Sequence, residues 1–311
     1  MAISIDEWQR AGRAYRHRGH PIFYRDEGAG PPLVLVHGYD YRLADQADLV
    51  EGLLASLDVR RVGVLAHDYG DTVAQELLAR ARERAPGGLE LAYVCLLNGG
   101  LYPEMHRPRL IQRLLASPLG PLVARLLNER SFARSFSAVF GPATKPPPDE
   151  LASFWRLVER DGGTRVYPRL IGYMAERRRH RERWVGALER PPCPVRLIDG
   201  PEDPISGAHL AAHYRARVPH ADVVLLPGIG HYPQTEAPDE VRRAFLEFVD
   251  RVEASAASAL RPERRWARRP RRPERRWARC PRRPERRWAR RPRHPERRWA
   301  RRPRHPERRP R

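Results

Sequence analysis

The chain has 311 residues and a formal net charge of +21, and that charge is concentrated at one end. Residues 261–311 contain 25 arginines and five glutamates, so the rest of the chain is close to neutral. The charge therefore gives no reason to expect nucleic acid on the body of the protein, and any such binding concerns the tail alone. The sequence has neither a signal peptide nor an apolar run of membrane-spanning length, so we expect a cytoplasmic protein without membrane contact.

Apolar patterns in the first 60 residues predict a hairpin, a strand and a helix. Residues 14–17 and 21–24 alternate between polar and apolar side chains, as the strands of a hairpin do. Residues 33–36 predict a buried strand, and direct pairing of Ile22-Phe23-Tyr24 with that strand would extend the sheet. Residues 43–57 predict an amphipathic helix, because apolar side chains recur at helical spacing.

A strand, a sharp turn and a helix are predicted from Val62 onwards, and the turn carries the most informative residue of the chain. Ala66 and Gly70 stand two positions on either side of Asp68. Small residues at those positions permit the tight turn, called the nucleophile elbow, that exposes the middle side chain at the top of an α/β sheet. Aspartate stands where such turns often have serine. The alternative is that Asp68 only caps the helix, which we predict over residues 72–84.

Residues 101–190 interrupt the alternation of strands and helices and predict an inserted helical cap. The cap helices that we predict are 109–116, 122–128, 149–160 and 167–179. The arginine-rich run at 177–181 is typical of a solvated helix face. Strands and helices alternate on both sides of the cap. A strand is predicted at 91–97 before it. After it we predict a strand at 195–199, a helix at 208–217, a strand at 223–226 and a helix at 238–252.

Repeated strand–helix units predict an α/β protein, with a mostly parallel sheet covered by helices on both faces. We expect ligand sites at the carboxyl ends of its strands. The predicted organisation is a hydrolase core at 1–100 and 191–255, a cap at 101–190 and a tail at 256–311. The tail is an 11-residue repeat of Arg, Pro and Trp that predicts disorder. It could contact phosphates weakly and without specificity, or be a tandem DNA repeat read through in frame.

Three loops that follow strands supply Asp68, Asp203 and His231, in the order of nucleophile, acid and base in α/β hydrolases. Each residue has an ordinary alternative as a cap, turn or loop residue, and it is their joint placement that favours catalysis. Asn98 and Asp199 compete with Asp203 for the acid role. An amide at Asn98 cannot balance the charge of an imidazolium, and Asp199 ends a strand, where it is less free to reach the histidine.

An aspartate nucleophile is already ionised at neutral pH, since its reference pKa is about 3.9. It can attack an sp³ carbon and form an alkyl–enzyme ester, which a histidine-activated water then hydrolyses. The backbone N–H groups of Tyr39 and Tyr69 are the predicted oxyanion hole. This chemistry suits epoxides and alkyl halides. We expect a small apolar substrate and neither a cofactor nor a metal, because no ligand spacing or phosphate-binding glycine loop is present.

An epoxide also needs an acid for its opening oxygen, and the cap tyrosines Tyr167 and Tyr173 are the candidates, with packing as their alternative role. His67, beside the nucleophile, is a candidate for substrate contact or for simple space filling. Tyr69 rather than tryptophan follows the nucleophile, which favours an epoxide or an ordinary ester-like substrate over a haloalkane, because indole or amide donors are expected around a leaving halide.

The chain resembles α/β-hydrolase-fold proteins of the epoxide hydrolase and haloalkane dehalogenase type, and more narrowly the group of the mesoderm-specific transcript protein. The matching segments are 66–78, 98–100, 104–108, 140–142, 183–188, 200–204 and 231–234. The resemblance implies the hydrolase fold, a helical cap and the three catalytic positions already named, and it adds weight to Tyr173. Residues 39–61 have room for one helix where the family pattern has helix, strand, loop and helix. We therefore predict a sheet one strand short, with a catalytically impaired hydrolase as the alternative function.

Overall fold

The computed structural model describes residues 5–36, 42–85 and 87–259. Two predicted features, the tail repeat and Tyr39, lie outside these ranges. An antiparallel hairpin precedes a sheet of five parallel strands, and the sheet follows chain order from one edge to the other. The strands are β1 (Arg13–His17) and β2 (His20–Tyr24) in the hairpin, then β3 (Leu33–Val36), β4 (Arg61–His67), β5 (Glu90–Leu97), β6 (Val195–Asp199) and β7 (Asp222–Leu225) in the sheet.

Helices connect the parallel strands and cover the sheet. Those outside the β5–β6 connection are α1 (Ile5–Arg10), α2 (Leu43–Ser56), α3 (Tyr69–Glu83), α11 (Ala208–Arg217), α12 (Pro233–Glu236) and α13 (Pro238–Ala259). Those between β5 and β6 are α4 (Leu110–Leu115), α5 (Gly120–Leu126), α6 (Glu129–Ser137), α7 (Pro148–Glu159), α8 (Tyr167–Leu170), α9 (Tyr173–Arg179) and α10 (Arg181–Glu189), with a 3₁₀ segment at Arg160–Val166. Among the helices in the described ranges, none has the length and apolar character needed to span a bilayer.

The strands and most core helices match the sequence-based assignment to within three residues, but α1 and α12 were not predicted, and α13 ends at residue 259 instead of 252. The other differences lie between β5 and β6. The single helix predicted over 167–179 is wrong, because the chain forms two helices there, α8 and α9, on either side of Gly172. Helices α6 and α10 were not predicted. A reciprocal side-chain cap between Asn128 and Ser131 starts α6, a signal that is present in the sequence. Residues 101–190 as a separate cap unit stay a prediction.

The two faces of the sheet pack against different helices. On one face, α3 lies between the sheet and α10, with Val73, Leu77 and Leu188 at most 2% exposed. On the other face, Phe248 of α13 stacks edge-on against Tyr93 of β5, with ring centroids 5.7 Å apart. Apolar burial of this kind contributes about 1.5–3 kcal/mol for each large side chain. It holds the carboxyl ends of β4, β5 and β6 close together.

The hairpin does not extend the sheet, so the predicted pairing of residues 22–24 with residues 33–36 is wrong. Within the described residues, β2 pairs only with β1, and β3 pairs only with β4. Gly28 and Gly30 in the connecting segment adopt positive φ angles of 87° and 152°, and this segment does not form a hairpin turn. β3 therefore ends the described sheet, with Leu35 69% exposed and Leu33 40% exposed.

An apolar strand at the edge of a sheet is a site of self-association. We predict that Leu35→Lys lowers the self-association of the protein in light scattering at high concentration. The free energy of unfolding should change by less than about 0.5 kcal/mol, because the replaced side chain is exposed. Leu246→Lys is the matched control, since Leu246 is 46% exposed on α13, and it should leave self-association unchanged. Equal behaviour of the two variants would contradict the role of the edge.

Candidate active site

Asp68 lies in the turn between β4 and α3, in a backbone conformation that side-chain-bearing residues rarely adopt. Its φ and ψ are 51° and −108°. Such strain is typical of the turn that exposes a nucleophile in α/β hydrolases. The Asp68 side chain makes no capping hydrogen bond to α3 and is 31% exposed. The alternative that Asp68 serves only as a helix cap therefore has no support in the hydrogen bonding.

His231 lies between two carboxylates that come from different loops. Its Nδ1 atom is 2.8 Å from Oδ2 of Asp203, and its Nε2 atom is 3.8 Å from Oδ2 of Asp68. The histidine is only 4% exposed. The structure thus brings together the three residues that sequence analysis placed in the catalytic site.

Charge attraction opposes burial for all three groups. Burial alone would raise the pKa of Asp68, but the nearby charge of His231, with smaller effects from His67 and Arg177, lowers it well below its usual range. Burial likewise opposes the charged form of Asp203, whose pKa is lowered mainly by His231. Burial would lower the pKa of His231, and the two carboxylates raise it well above its ordinary value. All three shifts favour a charged imidazolium between two carboxylates.

Asp203 is held in place by donors from its own loop and from the end of β5. Its Oδ1 atom accepts the N–H of Ile205 at 2.8 Å, and its Oδ2 atom accepts the hydroxyl of Ser206 at 2.6 Å. Asn98 donates to the same Oδ2 at 3.3 Å and exchanges two hydrogen bonds with the backbone of Gly200. Asn98, considered above as a competing acid, thus positions the acid loop.

Asp199, the other competing acid, ends β6 and is fully buried. Both of its carboxyl oxygens lack a hydrogen-bond partner among the described residues. Burial, followed by the charge of Asp203, raises the pKa of Asp199 to about 8. A carboxyl that is mostly neutral at pH 7 cannot stabilise an imidazolium by charge. The 2.8 Å contact between Asp203 and His231 therefore favours Asp203 as the partner of the histidine.

Arg177 reaches from α9 to the nucleophile turn and was not predicted as a site residue. It is 1% exposed, its Nε donates to the hydroxyl of Thr72 at 2.6 Å, and its Nη2 donates to the carbonyl oxygen of Asp68 at 3.1 Å. A Cβ atom added at Gly100 would lie 2.0 Å from Nη1 of Arg177, so a glycine is required there for the close approach. The interpretation of 177–181 as a solvated face is therefore wrong for Arg177, whereas Arg178 is exposed.

Glu236 organises the loop of His231 and was also missed. Its Oε2 atom accepts the N–H groups of Gly141 and Gly230, both at 2.8 Å, and the hydroxyl of Thr144 at 2.5 Å. Its Oε1 atom accepts the N–H of Tyr232 at 2.9 Å. One carboxylate therefore joins the segment 141–144, which lies between β5 and β6 in sequence, to the loop that carries the histidine.

The remaining predicted residues lie in different places. Tyr173 begins α9, and its ring packs edge-on against Tyr69 with centroids 5.7 Å apart. Tyr69 is the first residue of α3, where backbone N–H groups point out of the helix. Tyr167 begins α8, which contacts α5 and the 3₁₀ segment, and its role stays a prediction. His67 packs behind the base, with its Nε2 atom 2.8 Å from the carbonyl oxygen of His231.

Aromatic side chains from the β5–β6 connection surround Tyr232, the neighbour of His231. The rings of Phe136 and Phe140 have centroids 5.1 Å and 5.0 Å from the ring of Tyr232. Phe136 also contacts Phe154, at 5.0 Å. The result is an apolar wall beside the base.

Comparisons with known proteins identify the family of the chain. The alpha/beta hydrolase family matches residues 9–244. The chain belongs to that family. It is 34% identical over 298 residues to the mesoderm-specific transcript protein of Mus musculus, across 80% of this chain and 89% of that protein. The resemblance stated from the sequence motifs is thus confirmed, as is the predicted fold class.

Solved structures support the same fold. The epoxide hydrolase CorEH has a TM-score of 0.61 at 17% identity, with 78% of this chain and 99% of that chain covered. The haloalkane dehalogenase DatA from Agrobacterium tumefaciens C58 has a TM-score of 0.62 at 16% identity, with coverage of 78% and 97%. In the part of the chain that the structure describes, no group of three or more His, Cys, Asp or Glu residues is placed to hold a metal ion.

The four hydrogen bonds to Glu236 predict a large effect of its removal. We expect Glu236→Ala to lower the free energy of unfolding by about 3 kcal/mol, because several backbone N–H groups would lose their acceptor inside the protein. Urea denaturation measures this value. Glu240→Ala removes an exposed carboxylate four positions later on α13 and should cost less than about 0.5 kcal/mol. A similar small loss for Glu236→Ala would contradict the role of Glu236 in holding the histidine loop.

Proposed function

We propose that the protein hydrolyses a small apolar epoxide through a covalent ester on Asp68. The observation that carries the proposal is an ionised carboxylate, rather than a hydroxyl, in the strained nucleophile turn, with a histidine–aspartate pair beside it. A carboxylate in this position can attack an sp³ carbon without a base. The hydrolase family that matches the chain and the fold shared with the epoxide hydrolase CorEH support the proposal.

In the first step, an oxygen of Asp68 forms a bond to a ring carbon of the epoxide. The bond between that carbon and the ring oxygen breaks, and its electron pair goes to the oxygen. The phenol of Tyr173 is the proposed proton donor to that oxygen, and it regains a proton from solvent. Burial, followed by the charge of Asp68, raises the pKa of Tyr173, so the phenol is protonated at neutral pH and available as an acid.

In the second step, His231 takes a proton from water, and the water oxygen attacks the ester carbon of Asp68. Formation of the ester removes the negative charge of Asp68, which is one of the charges that raise the pKa of His231. The histidine can therefore release its proton to solvent once the ester exists and then act as a base. Collapse of the tetrahedral intermediate releases the diol, whose oxygen takes the proton from His231, and the carboxylic acid formed at Asp68 then gives its proton to His231. The N–H of Tyr69 at the start of α3 is the described candidate for holding the oxyanion.

The apolar substituent of the substrate would lie against the aromatic side chains around Tyr232. Those rings are adjacent to His231, since the ring centroids of Tyr232 and His231 are 4.9 Å apart. A substituent there would displace water from the apolar wall, which favours binding of an aromatic or alkyl epoxide.

Two alternatives have specific support. The fold is shared with the dehalogenase DatA, but a tyrosine follows the nucleophile in this chain, and a leaving halide is better held by indole N–H donors. A catalytically impaired hydrolase is the other alternative, because residues 42–60 hold the single helix α2 where the family pattern has more elements. It predicts no turnover with any substrate.

The ester is testable directly. We predict that His231→Gln, incubated with styrene oxide, accumulates a covalent adduct on Asp68, because formation of the ester does not need the base and hydrolysis does. Intact mass followed by peptide mapping locates the adduct. His231→Gln combined with Asp68→Asn is the matched control and should form none. If His231→Gln remains unmodified with styrene oxide and with an alkyl epoxide, the covalent mechanism is wrong.

A further inference from the structure

His106 lies in the segment between β5 and α4, and its ring has unused hydrogen-bonding capacity. Both ring nitrogens are buried, and neither has a hydrogen-bond partner among the described residues. Buried polar atoms in folded proteins are nearly always paired. Two unpaired nitrogens on one buried ring therefore mark a position where a ligand can supply the missing partner.

The backbone on both sides of His106 is fixed against the acid loop. The N–H of Arg107 donates to the carbonyl oxygen of Ile205 at 3.2 Å. The carbonyl oxygen of Met105 is 3.0 Å from Nε2 of His209. Ile205 is two residues from Asp203, so the segment and the acid loop form one unit. A side chain held in this way is pre-organised for a ligand.

The ring of His106 lies beside the tyrosine that is the proposed proton donor. The ring centroids of His106 and Tyr173 are 6.3 Å apart, and the planes are nearly perpendicular at 83°. Tyr173 in turn packs edge-on against Tyr69, the residue after the nucleophile. His106, Tyr173 and the nucleophile turn are thus consecutive neighbours in space.

The charges of the catalytic groups act on the same ring. Burial, followed by the positive charge of Arg177 and with a smaller effect from His231, lowers the pKa of His106 to about 4, against the opposing effects of Asp68 and Asp203. At neutral pH the ring is therefore uncharged, with one N–H donor and one acceptor nitrogen. An uncharged donor does not compete with His231 for the carboxylate of Asp68.

We propose that His106 is a further catalytic residue, whose ring N–H donates a hydrogen bond to the oxygen that is released when the substrate ring opens. The inference rests on the proposed function. The Asp68 oxygen bonds to the ring carbon, the carbon–oxygen bond breaks towards the oxygen, and Tyr173 supplies the proton. His106 keeps its own proton and stabilises the negative charge that develops before the proton arrives. Sequence reasoning did not single out His106, although it lies in the segment 104–108 that matches the family pattern.

The test uses the full-length His231→Gln protein with styrene oxide as the probe. It measures the rate at which the adduct forms on Asp68. His106→Phe keeps a ring but removes the donor, and the maximal rate of adduct formation should fall about 100-fold. His106→Gln keeps an N–H donor and should lose less than about fivefold. The half-saturating epoxide concentration should change little in either variant, because the lost hydrogen bond forms only as the ring opens.

His213→Phe is the matched control. Like His106, His213 has a buried ring nitrogen without a partner in the described ranges. Its ring packs edge-on against Tyr102, with ring centroids 4.6 Å apart. His213, however, lies on α11 and not in the segment between β5 and α4. Its replacement should leave the rate within about twofold, and circular dichroism checks the fold of each variant. If His106→Phe does not fold, His106→Leu takes its place with the same expected loss.

The outcomes separate the inference from the proposed function. An adduct that forms at the same rate with and without a donor at position 106 overturns the role of His106 and leaves the Asp68 ester in place. An equal loss in His106→Gln and His106→Phe overturns it as well, because the ring shape and not the donor would then matter. Absence of any adduct in the His231→Gln protein with His106 intact overturns both.

Discussion

The position of a buried histidine between two carboxylates is the interaction on which the rest of the site depends. An imidazolium that is 4% exposed is stable only if opposite charges lie beside it, and Asp203 and Asp68 supply those charges from two separate loops. The fold must therefore bring the ends of β4 and β6 and the loop after β7 to one place. Parallel strands in chain order do so. The same arrangement favours the ionised form of Asp68, which is the form that can attack.

Contacts from outside the three catalytic positions hold this charge cluster in place. Asn98 ties the acid loop to the end of β5, and Arg177 ties α9 to the carbonyl oxygen of Asp68. Glu236 fixes the histidine loop through four hydrogen bonds. Each of these polar side chains joins segments that are distant in sequence. The geometry of the site is therefore a property of the β5–β6 connection and the sheet together.

How much of the fold and of the site could be predicted from the sequence depends on how far apart in the chain the interacting residues lie. The turn around Asp68 is local, since two small residues flank it, and the buried strands are short apolar runs. Arg177 was missed because its partners Thr72 and Asp68 lie 105 and 109 residues away in the chain, and an arginine in an arginine-rich run resembles a solvated one. Glu236 was missed because two of its four partners, Gly141 and Thr144, lie 95 and 92 residues away. The unpaired edge at Leu35 was missed because strand pairing is decided by tertiary packing, and pattern alone does not contain it.

The source of the oxygen atom that is added to form the diol tests the covalent mechanism most directly. Enzyme in excess over styrene oxide, allowed a single turnover in water enriched in ¹⁸O, should incorporate the label into the carboxyl group of Asp68 and release an unlabelled diol, because water attacks the ester carbon and not the substrate carbon. Peptide mass spectrometry and diol mass spectrometry measure the two products. Label in the diol with an unlabelled Asp68 after that first turnover would contradict the account, since water would then have opened the epoxide directly.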